Sequence, residues 1–568
     1  MASWESHRVV DIVDEIDEER YVLPVIQREL VWGEEKMELL FDSLLKGNSF
    51  GSIIVIEEDR ETKPLFASRR FSKDGETVVS QTCLKLVQKQ YFVIDGQQRL
   101  QSFYIGLRGY VNGKSLFFDL FSDYKNEYEF QFSKDERNLP EKIKDDRPIK
   151  ECYWVLVRDL CRNLKDAGVD DRVVSKRYIC QKENISDEQK EFIESNIATF
   201  CRNVLSAKTV GVAKVYIDKT KPESENKQKI VELFRRLNDG GTKLSAMDLI
   251  ASTLKAFDFR MENFLRSCQR EFADIGLTSE NLIKLLFLLQ GNNTKEMTAI
   301  ENSDASFAIE NEARIKNALD STRKFLKCSK TYDFYKESNR SFIPLYFIVY
   351  HLFYKNISDD CLKNYWDDWE TTNEDFIPLK QWLYHSLLNG VFRSKGAGWI
   401  PYKTGIKKIF DEVQKAKGEI FPLQKLLDVY VNYPLKNFTL AYNSSTIDLL
   451  DAQFVFYLMY DFSQSVRSND VDHIMPKNIL REKGFGWDKI NSIKNYQLLD
   501  VSTNRGEKNG KSFRDWINNP IYVGDKSNYM SFHLIPVDES LWSEENFEAF
   551  ANARGELIAE KIRKCVGK

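Results

Sequence analysis

Toward the end of the chain, Asp470-Val-Asp-His-Ile-Met-Pro-Lys477 sets a carboxylate, Asp472, directly beside an imidazole, His473, and follows them with a proline that stiffens the turn. Two asparagines come next, Asn495 in Lys494-Asn-Tyr-Gln-Leu-Leu499 and Asn504 in Ser502-Thr-Asn-Arg-Gly-Glu-Lys508. Hydrolysis of a phosphodiester needs a water deprotonated near neutral pH, a cation to stabilise charge on the phosphorane and the leaving oxygen, and a group that holds the base in orientation. Asp472 and the amide oxygen of Asn504 would give a hard divalent ion, Mg²⁺ or Mn²⁺, two oxygen ligands and leave positions for phosphate and water. His473, with an unperturbed pKa of roughly 6.5, can stay neutral and accept the proton of the attacking water, while Asn495 orients the imidazole or shapes the loop. Taken alone, an Asp-His pair is also what a loop salt bridge or a helix cap looks like. Context favours the site: the D-H-I-x-P setting, two downstream asparagines, and ten Lys/Arg against six Asp/Glu between Arg467 and Arg514 in a chain of net charge −4. Phosphate contacts are expected on that segment. Of the five histidines, only His473 has a carboxylate neighbour and a motif. His351 and His385 sit in aromatic helical stretches and read as packed core, and His533 is either a second site residue or structural.

A second polar cluster, Asp95-Gly-Gln-Gln-Arg99, follows the short apolar run Tyr91-Phe-Val-Ile94 and precedes Leu100, Tyr104 and Leu107 at helical spacing. A strand-to-helix turn of this kind presents free backbone N–H groups and the positive end of a helix dipole to an anion. Gly96 would let the chain approach a phosphate closely and Arg99 would offer it a two-pronged donor. Gln97 and Gln98 would position water or the nucleotide. The alternative needs no ligand: Asp95 caps the helix with Gln98 three residues on, a capping-box variant. There is no G-x-x-x-x-G-K-[ST] sequence, so a nucleotide would bind without a P-loop.

These clusters have to be held by surrounding elements. Met37, Leu40, Leu44 and Leu45 keep helical spacing up to Gly47, Gly51 to Glu57 is a β-like stretch, and further strands are expected near Leu116 to Phe132, Tyr153 to Val157 and Val210 to Ile217. Asp170 to Phe200 is charged and helical in character. From Lys227 the period becomes helical, broken at Asn238-Asp-Gly-Gly-Thr242 and resumed at Ser245, and it stays helical to about residue 460. The fold class expected is therefore α+β and multidomain, with parts at 1–255, 256–430 (a helical connector) and 431–568.

The C-terminal residues resemble the HNH, or ββα-metal, nucleases, and specifically the C-terminal domain of the GmrSD family of modification-dependent (type IV) restriction enzymes. The likeness runs on through His533-Leu-Ile-Pro536, Leu541-Trp542 and a final helix with Asn552-Ala-Arg554. In the N-terminal part, Pro24-x-x-Gln-Arg28 with Val31-Trp32, then Asp95-Gly-Gln-Gln-Arg99, then Phe234-x-x-Leu-Asn238-x-Gly-Gly-Thr-x-Leu-Ser245, look like three successive signatures of the ParB/sulfiredoxin-like domain of GmrSD proteins, with a long insertion between Ile105 and Val210. The resemblance implies an N-terminal ParB/sulfiredoxin-like α+β domain that binds and hydrolyses an NTP (GTP, CTP, UTP or ATP), a helical middle, and an HNH nuclease embedded in helices. The likeness to the ParB/sulfiredoxin-like domain also implies that Gln27 and Arg28 line the same pocket as Asp95 to Arg99. It implies as partner DNA, modified phage or foreign DNA above all. The Asn238 to Thr242 stretch is alternatively only a Gly-rich helix break.

Composition narrows the classes. At 42% hydrophobic and 30% charged residues the chain builds cores and stays soluble. Its N-terminus lacks a basic-then-apolar leader, and its longest apolar run, Phe342 to Tyr354, is too short for a bilayer and contains Pro344. Nine scattered cysteines without a C-x-x-C pair fit reduced thiols, so a cytoplasmic protein with no membrane partner is expected. A homodimer is compatible with the sequence. Three functions compete: an NTP-regulated, metal-dependent endonuclease of a restriction or anti-phage system; a DNA-binding regulator with an inactive HNH site; and a toxin-like nuclease acting on RNA or host DNA.

Overall fold

The computed structural model describes the chain except for residues 1–2, 28–31, 49, 75–84, 124, 126, 141, 144–149, 239–245, 293–299, 339–340, 371–372, 393–404, 433–437, 463–469, 501–502, 509 and 568. Arg28 and the Gly-rich stretch 239–242, both named above, lie outside the described residues. The fold is mixed α and β, in two compact units: residues 1–263 with 296–306, and residues 264–295 with 307–568. Most of the helical middle and all of the C-terminal segment thus fall in one unit.

The first unit is built on a six-stranded sheet. Its strands are β1 (Ser3–His7), β2 (Tyr21–Pro24), β3 (Ile53–Glu58), β4 (Ser68–Arg69), β5 (Gln90–Asp95) and, after β6 (Ser115–Asp119), β7 (Phe130–Ser133), β8 (Lys142–Ile143), β9 (Lys150–Glu151) and β10 (Trp154–Leu156), the late strand β11 (Val210–Val215). The order is β1-β11-β3-β5-β2-β4, with β11/β3 and β5/β2 parallel and the other pairs antiparallel. In β5 the period of two sends Val93 to one face and Phe92 and Ile94 to the other, and both faces are covered. On the first lie α1 (Val9–Asp17), α2 (Glu34–Leu45) and α3 (Gln97–Arg108), with Val13, Phe41, Leu44, Leu100 and Phe103 in one core with Ile53, Val55 and Val93. On the second, Phe92 and Ile94 pack with Ile230, Val231 and Phe234 of the helix Glu223–Asn238.

The long insertion is part of this core. Its antiparallel sheet, in the order β10-β6-β7, and its helices Val157–Asp166, Asp171–Gln181 and Asp187–Phe200 add Phe118, Phe130, Leu160, Ile197 and Phe200 to the same cluster. β8 and β9 form a separate two-stranded ladder.

In the second unit the apolar run forms the helix Ile343–Phe353, which is buried from Pro344 to Phe353 against its neighbours. No described helix is long and apolar enough to cross a membrane. The C-terminal part comprises a hairpin of β12 (Asp470–His473) and β13 (Tyr496–Leu499), a helical turn Thr503–Lys508 and the final helix Phe547–Gly567. Ile474, Met475, Leu480, Ile490, Phe513, Trp542 and Phe550 form its core. All eight cysteines among the described residues are free thiols.

Candidate active site

The hairpin pairs Asp470 with Leu499, Val471 with Leu498, Asp472 with Gln497 and His473 with Tyr496. Strand alternation therefore sets Asp470 and Asp472 on one face, and Gln497 stands across from Asp472 on that face. Its Nε2 donates to Asp472 Oδ2 at 2.8 Å. The ammonium of Lys508, from the helical turn after β13, also donates to Asp472 Oδ2, and to the carbonyl oxygens of His473 and Ile474, the last at 3.1 Å. Lys508 is 2% exposed, and burial pulls its pKa below the usual lysine value against the pull of Asp472. One turn earlier, Asn504 Nδ2 donates to Asp470 Oδ2 at 3.2 Å. The contact of Asn504 on this strand is thus with Asp470, two residues before the acid that the sequence paired it with.

His473 is partly exposed, its ring edge-on to Tyr496 with centroids 4.9 Å apart. Its Nε2 lies 3.0 Å from Asn491 Oδ1. With Nε2–H donating to that oxygen, Nδ1 is the basic nitrogen. Burial depresses the imidazole pKa more than the Asn491 hydrogen bond and the Asp472 charge raise it, so the ring is neutral at neutral pH. Asn495, offered from the sequence as either an orienter or a loop builder, is the loop builder. It is fully buried; its Oδ1 accepts from the Met475 amide at 3.0 Å and its Nδ2 donates to Met475 O and Ile490 O at 3.2 and 3.1 Å. The partner that holds the imidazole is Asn491, a residue that no motif marks. It belongs to the turn after the short helix Trp487–Ile490, and only the folding back of that turn brings it to His473.

The remaining polar residues of this segment brace it. Arg554, fully buried on the final helix, donates to His533 O at 3.1 and 3.0 Å, to Ile493 O at 3.1 Å and to Lys494 O at 2.8 Å, clamping the backbone that leads into Asn495. His533 Nδ1 is 3.0 Å from Tyr460 Oη, and burial pushes its pKa down to about 3, so this histidine is a structural member of the core. His351 is buried against Asp375 at 3.2 Å, and His385 lies 2.5 Å from Tyr442 Oη with its pKa pushed down by burial to about 4. His351 is a buried interior residue and His385 is half-buried.

The donors around Asp472 suit a hard divalent ion: two carboxylates on one strand face and an amide side chain bonded to one of them, all offering oxygen. Among the described residues no group of three or more His, Cys, Asp and Glu gathers as a metal site.

The N-terminal turn is built otherwise. β5 runs into Gly96 at φ +89°, where a side chain would meet the Ile53 methyl at 2.3 Å, and α3 starts at Gln97 without a side-chain cap. The capping box that would have needed no ligand is therefore absent. The Asp95 carboxylate instead accepts from Arg99 Nη2 at 2.9 Å, and Arg99 Nη1 donates to Phe50 O at 2.8 Å. Gln27, 5% exposed, donates to Val93 O and Ile94 O at 3.1 and 2.5 Å, and Gln98 Oε1 accepts from the Trp32 amide at 3.1 Å. Gln97 is buried. Residues 9–255 match the family described as the GmrSD restriction endonuclease, N-terminal domain. The GmrSD-type region thus opens at α1 and closes inside the helix Ala246–Phe257, and it takes in the DGQQR turn. An uncharacterized protein of Methanocaldococcus jannaschii is 22% identical over 633 aligned positions, covering 99% of each chain, so the likeness to it extends through the C-terminal hairpin.

Proposed function

We propose that the chain is a divalent-metal-dependent DNA endonuclease of a prokaryotic restriction or anti-phage system, acting on modified foreign DNA in the cytoplasm and regulated by an NTP at the N-terminal turn. The GmrSD-type N-terminal region supports a restriction-type defence role. The observation that supports the nuclease reading is the pair of carboxylates Asp470 and Asp472 on one strand face, with Asn504 of the following turn bonded to Asp470 and a neutral, partly exposed imidazole on the residue after Asp472.

In this reading Asp472 and Asn504, with Asp470 beside them, hold Mg²⁺ or Mn²⁺. When bound, the ion supplies Lewis-acid stabilisation of the negative charge that develops on the phosphate and the leaving oxygen. His473 takes the proton of the attacking water on Nδ1, and Asn491 keeps the ring in the tautomer that leaves that nitrogen free. Asn495 and Arg554 keep the loop before β13 in place. The basic excess between Arg467 and Arg514 draws the DNA backbone to this face.

At the other end, the uncapped first turn of α3 and the left-handed Gly96 offer backbone N–H groups to the phosphates of a nucleotide. Arg99, engaged by Asp95 and Phe50 through two of its five N–H donors, shapes that turn. Plasmid cleavage with Mg²⁺ by wild type and by His473→Ala, with and without each NTP, tests the reading. Metal-dependent cutting lost in His473→Ala supports it. A wild type that binds DNA but never cuts favours the regulator, and preferential RNA cutting favours the toxin-like nuclease.

A further inference from the structure

Lys508 is the feature of this site that phosphodiester hydrolysis does not require. Its ammonium has three N–H donors and meets three acceptors, Asp472 Oδ2, His473 O and Ile474 O, in a pocket that leaves it 2% exposed. A buried ammonium with every donor satisfied is held by the fold; it is not a surface lysine resting on a neighbour. The acceptor oxygen is held as well. Gln497 donates to the same Oδ2, Tyr529 Oη donates to Gln497 Oε1 at 2.6 Å, and Trp516 Nε1 donates to Tyr529 Oη at 3.2 Å. This chain of side chains braces Oδ2, and the hydrogen bonds that Lys508 and Gln497 make to the carboxylate both end on that oxygen.

We propose that Lys508 is a resident cation and a positioning residue of the site, one that occupies Oδ2 of Asp472, leaves Oδ1 to a divalent ion, and keeps metal affinity low. The inference rests on the metal-site reading of Asp472 given above. Two positive charges sharing one carboxylate repel, more strongly in a partly buried site than in water, so the lysine weakens metal binding. By holding the His473 and Ile474 carbonyls it also fixes the backbone from which the imidazole projects.

The two effects predict opposite signs, which a merely structural lysine does not produce. In the full chain stripped with EDTA, Mn²⁺ binding followed by electron paramagnetic resonance is expected to be about tenfold tighter in Lys508→Met than in wild type, while Mg²⁺-dependent cutting falls. Tyr529→Phe, which keeps the charge and removes one hydroxyl, is expected to bind Mn²⁺ within about twofold of wild type. If Lys508→Met is unfolded in EDTA, recovery of a cooperative melt on adding Mn²⁺ supports the proposal, because the ion then replaces the missing charge; failure to recover overturns it. Equal or weaker Mn²⁺ binding by a folded Lys508→Met overturns the resident-cation proposal alone. Absence of Mn²⁺ binding in wild type, or binding that survives Asp472→Ala, overturns the metal-site reading and this proposal together.

Discussion

The turn at Asp95–Arg99 and the hairpin at Asp470–His473 look alike as strings, each a few polar residues at the end of a short strand, yet the fold uses them in opposite ways. At the turn, side chains are drawn inward: Arg99 holds Asp95 and Phe50 O, Gln27 holds two carbonyls of β5, and Gln98 receives the Trp32 amide. At the hairpin, side chains from two strands and the following helical turn gather on adjacent carboxylates, and the imidazole stays partly exposed. The difference teaches that the turn proposed to bind and the hairpin proposed to catalyse should break under different substitutions, the first by altering backbone geometry, the second by removing one functional group.

The sharpest test of that contrast is at the hairpin. His473→Ala is expected to cut Mg²⁺-dependent plasmid cleavage about 10²–10⁴-fold, the range of a lost general base, with an unchanged melting curve. A variant that cuts as well as wild type would remove His473 from the chemistry. Asn495→Ala and Asn491→Ala then separate frame from chemistry within the same loop. Asn495→Ala strips three buried hydrogen bonds and should cost about 2–4 kcal/mol of stability in denaturant titration, while Asn491→Ala should lower the cleavage rate with little change in melting. If the two behave alike, the distinction drawn between them is wrong.

At the N-terminal turn the expectation reverses. Gly96→Ala, which forces a side chain onto Ile53 at positive φ, should abolish nucleotide-induced stabilisation and destabilise the unit by about 1–3 kcal/mol. Arg99→Ala should cost about 1–2 kcal/mol from the released Asp95 and Phe50 contacts and only weaken the nucleotide effect. Thermal shifts with each NTP compare the two, and an Arg99→Ala variant with loss greater than that of Gly96→Ala would make the side chain the principal ligand.

The smallest effect concerns pH. Burial holds His385 at about 4 and His533 at about 3, both below the unfolded value of roughly 6.5. The unfolded chain takes up those protons first, so their contribution to stability is complete above pH 6.5 and is lost as the pH falls toward the folded values. Each should cost about 1 kcal/mol by pH 5.5. Both lie in the second unit, so on acidification its melt should shift down before that of the first; an unchanged melt of the second unit at pH 5.5 would count against their burial.

Period and composition alone determined that the chain is mixed α and β, that Tyr91 to Ile94 is a strand leading into a helix, that the apolar run at Phe342 is an interior helix, and that His473 has the carboxylate neighbour the other histidines lack. These are local properties, carried by side-chain spacing within a few residues. Which asparagine holds the imidazole was not local, because Asn491 and Asn495 are four residues apart and of one type. The antiparallel register and the fold-back of the Trp487–Ile490 turn sent one to the ring and the other into the loop. Lys508 was likewise illegible: in sequence it is one more basic residue in a basic segment. Only tertiary packing, by burying its ammonium where three oxygens meet, made it a fixed charge of the site.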